Sequence, residues 1–232
     1  MPIEQLAVYV IGPVVGYLLG SIPFALVIGL AHGVDIRTVG SRNIGATNLG
    51  RTLGKRYFLH AFLLDAGKGF VPTLAIALLV QRWNSTAEIP AWTPLLTACA
   101  CVLGHLHSVF LKFRGGKGVA TSFGVIVGFW PLYTVAGLGT LVLFLIVFLG
   151  WRYISLASIA AAAAFPLLVL ALGRVENRAI DPYVPGLYHP YWNDFWPQFA
   201  VACGLALMII WKHRANIARL HAGTELKAGR KA

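Results

Sequence analysis

LAVYVIGPVVGYLLGSIPFALVIGLA, residues 6–31, contains no charged side chain. About 20 apolar residues are enough for a helix to cross the hydrocarbon core of a bilayer. Comparable runs recur, as at residues 155–172, and the whole sequence is 58% hydrophobic with a mean hydropathy of +0.73. The first run lacks a basic start and a small-residue cleavage site, so we expect a retained helix rather than a removed signal peptide. The sequence therefore predicts an all-α, polytopic membrane protein.

Seven transmembrane helices are predicted, within one integral-membrane domain that covers residues 1–232. We place them at residues 4–31, 57–82, 92–111, 119–130, 132–149, 154–173 and 196–212. The fourth would span only about 18 Å at 1.5 Å per residue, short of a hydrocarbon core of about 30 Å. We nevertheless predict this fourth helix as a membrane crossing, because the basic loops share one side of the membrane only if residues 119–149 cross it twice.

The basic residues lie in short clusters between the apolar runs, as the positive-inside rule expects of cytoplasmic loops. This sorting predicts the N-terminus outside and the C-terminus inside. The net charge of +11 is spread over these loops and not over one soluble face, so we expect no nucleic-acid partner. The loop at 174–195 falls outside, and its Tyr, Trp and Pro residues predict an aromatic belt at the membrane interface.

Several kinds of site are excluded by the motifs. Cys99, Cys101 and Cys203 all lie in apolar segments, so we expect buried thiols and no disulfide or metal site. HExxH, GxSxG and the Walker A pattern do not occur, which excludes a zinc protease, an α/β-hydrolase and a P-loop NTPase. The acyltransferase motif that pairs His with an Asp five positions later is absent at His105 and His107.

The segments predicted on the inner side are rich in glycine, amides and basic residues, at 35–55, 64–69, 104–122, 152–158 and 212–225. Glycine lets backbone N–H groups approach an anion, and Lys, Arg, Ser, Thr and Asn supply further donors. Basic loops that only set topology and touch anionic lipids would explain the charge, but not the glycines and amides.

Gly-Lys-Gly occurs twice, at 67–69 and 116–118, and in both places we expect it to open a helix whose N-terminus faces a phosphate. Asp65 and Lys68 lie on one face of a helix, where they are expected to pair or to line a polar cavity. His213 and Asn216, three positions apart, can face one site.

The motifs together carry a family resemblance. They are GSIPF at 20–24, DIR-x-x-GS-x-N-x-GATN-x-x-R-x-x-GK at 35–55, LD-x-x-KG at 64–69, GH with F-x-GGKG-x-AT at 104–121, and KH-R-x-NI-x-R-L-x-x-GTE at 212–225. In this order the chain resembles the bacterial membrane glycerol-3-phosphate acyltransferases that take their acyl group from acyl phosphate. The resemblance implies a seven-helix enzyme of the bacterial inner membrane whose active site opens to the cytoplasm.

The resemblance also implies the reaction. An acyl chain passes from fatty acyl phosphate to the sn-1 hydroxyl of glycerol 3-phosphate, which gives lysophosphatidate and phosphate, the first step of phospholipid synthesis. No cofactor or metal is implied. The partners are the lipid bilayer and the two substrates, with a soluble acyl-phosphate-forming enzyme as supplier of the donor. No side chain is assigned as the catalytic base, because the leaving phosphate can take the hydroxyl proton.

Site residues follow from the same resemblance. Glycerol 3-phosphate would be bound by Arg51, Lys117, Ser155, His213 and Asn216. Acyl phosphate would be bound by Ser41, Asn43, Thr47 and Asn48, and by backbone N–H groups made accessible at Gly115, Gly116 and Gly118. Asp65, Lys68 and Glu225 are secondary candidates, the last to orient a hydroxyl or pair with a basic neighbour.

One position departs from the family pattern. Arg42 stands where the family usually has glycine, and it would be strained if the backbone there needs a positive φ. Two other functions stay open from the sequence. A transporter of an organic phosphate would suit the phosphate-binding loops, although no inverted repeat is visible. A non-catalytic protein that binds anionic lipid would need the basic charge alone.

Overall fold

The computed structural model describes residues 1–83, 89–179 and 192–228, and every regular element in these ranges is helical. The α-helices are α1 (Ile3–Leu6), α2 (Gly12–Ser21), α3 (Phe24–Ala31), α4 (Ala46–Leu53), α5 (Lys55–Trp83), α6 (Pro94–Leu106), α7 (Val119–Gly128), α8 (Leu132–Trp151), α9 (Ile154–Ala179), α10 (Trp192–Lys212) and α11 (Arg214–His221). A π-helical turn, Ala7–Ile11, joins α1 to α2, and a 3-10 turn, Val109–Leu111, follows α6.

The all-helical membrane fold is confirmed. Within the described ranges, six helical stretches are long and apolar enough to cross a bilayer: Ile3–Ala31, Lys55–Trp83, Pro94–Leu111, Leu132–Trp151, Ile154–Gly173 and Phe195–Lys212. The seventh predicted helix is present as α7, which has 10 residues and rises only about 15 Å. Seven crossings and their orientation therefore stay predictions. The predicted aromatic belt falls largely on residues 180–191, outside the described residues.

The prediction of one continuous helix at 4–31 was wrong, because the helix is interrupted between α2 and α3. Ile22 is extended, with ψ 118°, as expected of a residue that precedes proline, and Pro23 has no N–H to continue the helix. The carbonyl oxygens left free accept hydrogen bonds from α5 and from the segment that follows α6. The Lys68 ammonium donates to Ile22 O at 2.6 Å, and the Ser108 hydroxyl donates to Ser21 O at 2.6 Å.

Glycines bring the helices of the bundle close together. A side chain at Gly124 of α7 would overlap the backbone of α5 at Ala66, and one at Gly69 of α5 would overlap the backbone of α7 at Thr121. Small residues at such crossings let two helices pack backbone to backbone, as is common in membranes. The short helix α7 is therefore fixed against α5, which holds its N-terminus in the interior of the protein.

The main core lies beneath this crossing, between α6, α7, α8, α9 and α10. Phe129, Tyr133 and Phe165 meet edge to face there, with ring centroids 5.1 Å apart in both pairs. Cys101 is buried as expected, whereas Cys99 and Cys203 are only partly buried, and all three are free thiols. A second cluster packs α3 and α4 onto α5 and so fixes the loop between α3 and α4.

Candidate active site

A cavity of about 740 Å³ opens where the polar segments meet. The starts of α4, α7 and α9, the end of α10 and the chain around Glu225 surround one end of it. The predicted convergence of these segments is therefore observed. The other end runs between the helices and is lined by hydrophobic side chains. The cavity is thus polar at one end and apolar at the other.

The loop between α3 and α4 is folded around Asn48. Its side-chain amide donates to Ile36 O at 2.8 Å and Val39 O at 3.2 Å, and its oxygen accepts from Ser41 N–H at 2.9 Å. Asn48 lines the cavity but is 1% exposed, and its side chain holds the loop in shape; its role as a phosphate ligand stays a prediction. The side chains of Ser41, Asn43 and Thr47 line the cavity and form no hydrogen bond to other described residues.

The second segment that was predicted to bind phosphate leads into α7. Gly118 caps this helix with φ +83°, a left-handed conformation that favours glycine, and lines the cavity with the first residues of α7. Gly115 and Gly116 were wrongly predicted to present their N–H groups to a ligand. These groups donate to Leu106 O and His105 O, both at 3.1 Å. Neither glycine lines the cavity. A side chain at Gly115 would overlap the backbone at His105 and Leu106, and one at Gly116 would overlap the His105 ring.

The other Gly-Lys-Gly, at 67–69, does not open a helix as predicted, because it lies in the middle of α5. Lys68 pairs instead with Asp65, Nζ to Oδ1 at 2.8 Å, and both side chains are 3% exposed. The predicted pair is confirmed. Asp65 and His105 line the deeper wall of the cavity, with His105 Nδ1 3.9 Å from Asp65 Oδ1, whereas Lys68 lies behind them.

The helix N-terminus missed by the sequence analysis is that of α4. Gly45 is its N-cap, and Gly45, Ala46 and Thr47 line the cavity. The first N–H groups of an α-helix have no partner within the helix and carry a partial positive charge. Two helix N-termini, of α4 and α7, therefore face one cavity.

Glu225 joins three parts of the chain beside these helix starts. Its Oε1 accepts from the Ser155 hydroxyl at 2.7 Å and from the Asn216 amide at 2.6 Å. Its Oε2 accepts from Arg219 Nε at 2.7 Å. Burial raises the pKa of Glu225, but these three hydrogen bonds outweigh it, so the net pKa lies below the usual value. Of the two roles predicted for Glu225, the structure shows the pairing with a basic neighbour, which is Arg219.

Arg42, Arg51 and Lys117 line this end and have no carboxylate within salt-bridge distance among the described residues; Arg42 is exposed, whereas Arg51 and Lys117 are half-buried. Arg51 Nη2 donates to Leu226 O at 3.0 Å, and Lys117 Nζ donates to Asn216 Oδ1. Burial lowers the pKa of Arg51 and lowers that of Lys117 to about 8, with nearby arginines acting in the same direction and Glu225 opposing them. Two partly desolvated cations that form no salt bridge are suited to bind an anion.

His213 is buried at the junction of α10 and α11 and lines the same end. Its Nδ1 lies 2.8 Å from Ile209 O. Burial and the Lys117 charge lower the pKa of His213 to about 4, so the ring is neutral at neutral pH. The predicted pairing of His213 with Asn216 around one site is observed, since both residues line the cavity.

Arg42, which stands at the family's glycine, does adopt a left-handed backbone, with φ +56°. Such a conformation costs a residue with a side chain about 1–2 kcal/mol relative to glycine. Arg42 is exposed at the mouth of the cavity, where its charge faces the same space as Ser41 and Asn43.

The apolar end is a groove between α5 and α7 on one side and α8, α9 and α10 on the other. Its walls include Phe62, Phe123, Phe144 and Leu205, with the Phe62 and Phe123 ring centroids 5.9 Å apart. Phe165 lies ten residues after Ser155 on α9, which places it about 15 Å deeper. The groove has room for a hydrocarbon chain whose polar end would lie among the cations.

The sequence model of glycerol-3-phosphate acyltransferases matches residues 10–223. A relative named glycerol-3-phosphate acyltransferase, from Geotalea daltonii, is 42% identical over 209 residues, covering 90% of this chain and 92% of the relative. One of the same name from Aquifex aeolicus is 41% identical over 209 residues, covering 90% and 93%. The chain belongs to the glycerol-3-phosphate acyltransferase family.

Two solved structures support this membership. One is PlsY (YgiH), an integral membrane glycerol 3-phosphate acyltransferase, in its glycerol 3-phosphate form, with a TM-score of 0.76, 37% identity and 94% of both chains covered. The other is the lysophosphatidic acid form, with a TM-score of 0.74, 36% identity and the same coverage. The resemblance inferred from the motifs is therefore confirmed.

Arg219 is the site residue for which the sequence analysis gave no role. It lies inside the last motif, between Asn216 and Glu225, so its position was visible. Its salt bridge to Glu225 could not be predicted, because that contact depends on how the chain turns after α11. Thr224, which also lines the cavity, was likewise not predicted.

Proposed function

We propose that the protein transfers an acyl group from acyl phosphate to the sn-1 hydroxyl of glycerol 3-phosphate. The hydroxyl oxygen attacks the acyl carbonyl carbon, and the bond from that carbon to the bridging phosphate oxygen breaks. The hydroxyl proton passes to the departing phosphate. The products are 1-acylglycerol 3-phosphate and inorganic phosphate, and the whole chain, residues 1–232, acts as one integral-membrane acyltransferase domain.

The observation that carries this proposal is one cavity with two helix N-termini, two half-buried cations that form no salt bridge, and an apolar groove. Each helix start offers backbone N–H groups and a partial positive charge to a phosphate. Both substrates carry a phosphate, and one carries a hydrocarbon chain. Few reactions need two anion sites and a membrane-embedded groove at the same place.

The glycerol 3-phosphate phosphate would lie between Arg51 and Lys117. Ser155 and Asn216 would hold this site in shape through Glu225, to which both donate. Acyl phosphate would receive hydrogen bonds from the side chains of the first loop, Ser41, Asn43 and Thr47, and from the α7 N-terminus that Gly118 opens. The acyl chain would follow the groove toward Phe165.

Catalysis by positioning and charge is sufficient for this reaction, because an acyl phosphate is already activated and phosphate is a good leaving group. Holding two reactants in contact can contribute about 7–11 kcal/mol to lowering the barrier. The cations and the helix N-termini would stabilise the charge that develops on the carbonyl oxygen and the leaving group. Burial and the Lys117 charge lower the pKa of His213 to about 4 in the free protein, which favours the leaving phosphate over this ring as the acceptor of the hydroxyl proton.

The protein would lie in the bacterial inner membrane with the polar end of the cavity at the cytoplasmic face. The basic residues of the first loop, the α7 start and the C-terminal segment gather at that end, as the positive-inside rule requires of the cytoplasmic side. Glycerol 3-phosphate would enter from the cytoplasm. A soluble acyl-phosphate-forming enzyme would supply the donor, which would reach the groove with its chain in the membrane.

The test is a product analysis with purified protein in lipid, labelled glycerol 3-phosphate and palmitoyl phosphate. Attack at the carbonyl carbon gives labelled lysophosphatidate and an equal amount of inorganic phosphate. Attack at phosphorus would instead give a glycerol bisphosphate and free palmitate. An alanine scan of the cavity would also contradict the substrate-assisted step if a single side chain proved to set a bell-shaped pH profile of kcat.

A further inference from the structure

We infer that Arg42 is a further binding residue for the phosphate of the acyl donor, which this chain has in addition to the family motif. Arg42 stands where the family usually has glycine, and its backbone is left-handed, with φ +56°. The inference rests on the proposed function, because it concerns the donor substrate of that reaction. It goes beyond the family resemblance, which assigns no role to a side chain at this position.

The backbone of Arg42 is held in this conformation by its neighbours. The Arg42 N–H donates to Val39 O at 3.0 Å, which closes a turn, and the Ser41 N–H donates to Asn48 Oδ1 at 2.9 Å. The turn also contains Gly40 at φ +56°, where a side chain would overlap Asn48 Oδ1. The loop therefore fixes a conformation at position 42 that favours glycine. Residues with a side chain that keep such a backbone cluster at functional sites.

The guanidinium of Arg42 is available to a ligand. Arg42 is exposed, lines the mouth of the cavity, and forms no side-chain hydrogen bond or salt bridge within residues 1–83, 89–179 and 192–228. Asp35, the acidic residue of the same loop, pairs with Arg37 at 2.7 Å, and Glu225 pairs with Arg219 at 2.7 Å. A guanidinium that faces a cavity without a carboxylate partner is suited to phosphate, which it can bind through two parallel N–H groups.

The position of Arg42 favours the donor over the acceptor. Arg42 precedes Gly45, the N-cap of α4, by three residues, whereas Arg51 of the proposed glycerol 3-phosphate site follows it by six, about 9 Å along the helix. Arg42 lies between Ser41 and Asn43, whose side chains line the cavity on the side proposed for acyl phosphate. The donor would keep its chain in the groove and present its phosphate at this polar end. The donor phosphate is therefore the anion that Arg42 is placed to bind.

An exposed guanidinium should strengthen donor binding by a modest amount that depends on salt. Exposed ion pairs change an affinity by roughly 1.5- to 5-fold, so we expect Arg42→Gly to raise the dissociation constant of the donor roughly threefold. Salt at about 0.5 M shortens the Debye length to roughly 4 Å and should remove most of this difference. Arg42→Gly should at the same time raise the melting temperature, because the backbone strain is relieved. Loss of affinity together with a gain of stability is a combination that a purely structural role would not produce.

The test measures the binding of hexadecyl phosphate, an unreactive analogue of the donor, to the full chain in nanodiscs of zwitterionic lipid, by calorimetric titration at low and high salt. Arg42→Gln removes the charge and keeps the strained backbone, whereas Arg42→Gly removes both. Arg56→Gln is the matched control, because Arg56 is exposed at the start of α5 and does not line the cavity. Both Arg42 variants should weaken binding roughly threefold at low salt. Only Arg42→Gly should raise the melting temperature, and Arg56→Gln should bind as the wild type does.

Three results would overturn the inference. The first is unchanged binding of hexadecyl phosphate in both Arg42 variants. The second is an equal loss in Arg56→Gln, which would reduce the effect to the general charge of the surface. The third is a loss of affinity for glycerol 3-phosphate instead, which would place Arg42 at the acceptor site. The titrations need no turnover, so a wild type that binds hexadecyl phosphate but forms no lysophosphatidate contradicts the proposed function, while the variants still decide the role of Arg42.

Discussion

Raising the pH from 7 to 9 is expected to weaken the binding of glycerol 3-phosphate about tenfold, because Lys117 loses its proton in that range. Its pKa is lowered to about 8 in the free protein, mainly by burial and further by Arg219 and Arg51. Only the ammonium form can bind the phosphate as a cation. Below the pKa most molecules are competent to bind, and above it the competent fraction falls about tenfold for each pH unit.

The substrate itself does not titrate in this window. The second pKa of a phosphate monoester is near 6, so the ligand is a dianion throughout. Its charge should also raise the pKa of Lys117 in the complex, which means that binding takes up a proton at pH 8 and above. The dissociation constant and the proton uptake are two measures of the same event.

Titration calorimetry without the acyl donor measures both quantities, because the apparent enthalpy in buffers of different ionisation enthalpy reports the proton uptake. Lys117→Arg is the matched control, since its guanidinium stays charged and the dissociation constant should then be nearly constant over the same range. A wild-type dissociation constant that does not change between pH 7 and pH 9, or a dependence that persists in Lys117→Arg, would refute the assignment of the phosphate to Lys117.

Three further perturbations follow from the structure. Arg51→Lys should raise the KM for glycerol 3-phosphate at least tenfold, because a charge-assisted hydrogen bond worth about 1.5–3 kcal/mol loses its planar fork; a wild-type KM would count against this role. Gly124→Ala should lower the melting temperature and the activity, because its methyl group overlaps the backbone of α5, whereas Gly67→Ala on α5, with nothing within 4 Å of the new atom, should change neither. Arg42→Gly should stabilise the protein by about 1 kcal/mol, because it relieves a left-handed backbone; an unchanged or lower melting temperature would contradict this.

The long helices could be predicted from hydropathy because each buries an apolar surface in lipid or in the core. The predicted helix at 57–82 differs from α5, Lys55–Trp83, by two residues at one end and one at the other. Hydropathy could not predict the break at Ile22–Pro23, because the apolar run continues through it. The break depends on a backbone effect of proline and on the distant donors Lys68 and Ser108, which satisfy the freed carbonyl groups.

The two shorter polar helices, α4 and α11, were missed for the opposite reason. Their sequences are rich in Arg and Asn and have a low mean hydropathy, so a search for long apolar runs does not find them. The helix start at α4 matters for function, because it replaces the one wrongly predicted at residues 67–69. Glycine spacing predicted segments that do line the cavity, but it could not say which N–H groups are already bonded within the protein.

Most of the site residues predicted from the motifs line the cavity, because the motif segments fold around one site. Their individual roles depend on pairings across the chain that spacing does not encode. Ser155 and Glu225 are 70 residues apart, and the sequence could not predict their hydrogen bond at 2.7 Å, which joins two ligand candidates to one another. The same holds for Asn48, whose amide is used entirely within its own loop.

The measurement that tests the central claim most directly offers three acyl donors separately to purified protein in lipid with labelled glycerol 3-phosphate. The donors are palmitoyl phosphate, palmitoyl-CoA and palmitoyl carrier protein. The expected result is lysophosphatidate from the acyl phosphate alone, since the proposed donor site consists of hydrogen-bond donors and cations that suit a phosphate on the acyl carbon, which a thioester lacks. Lysophosphatidate from either thioester would contradict the proposed donor. No product from any donor, in folded protein that exchanges labelled glycerol 3-phosphate across the membrane, would contradict the enzyme and favour a transporter.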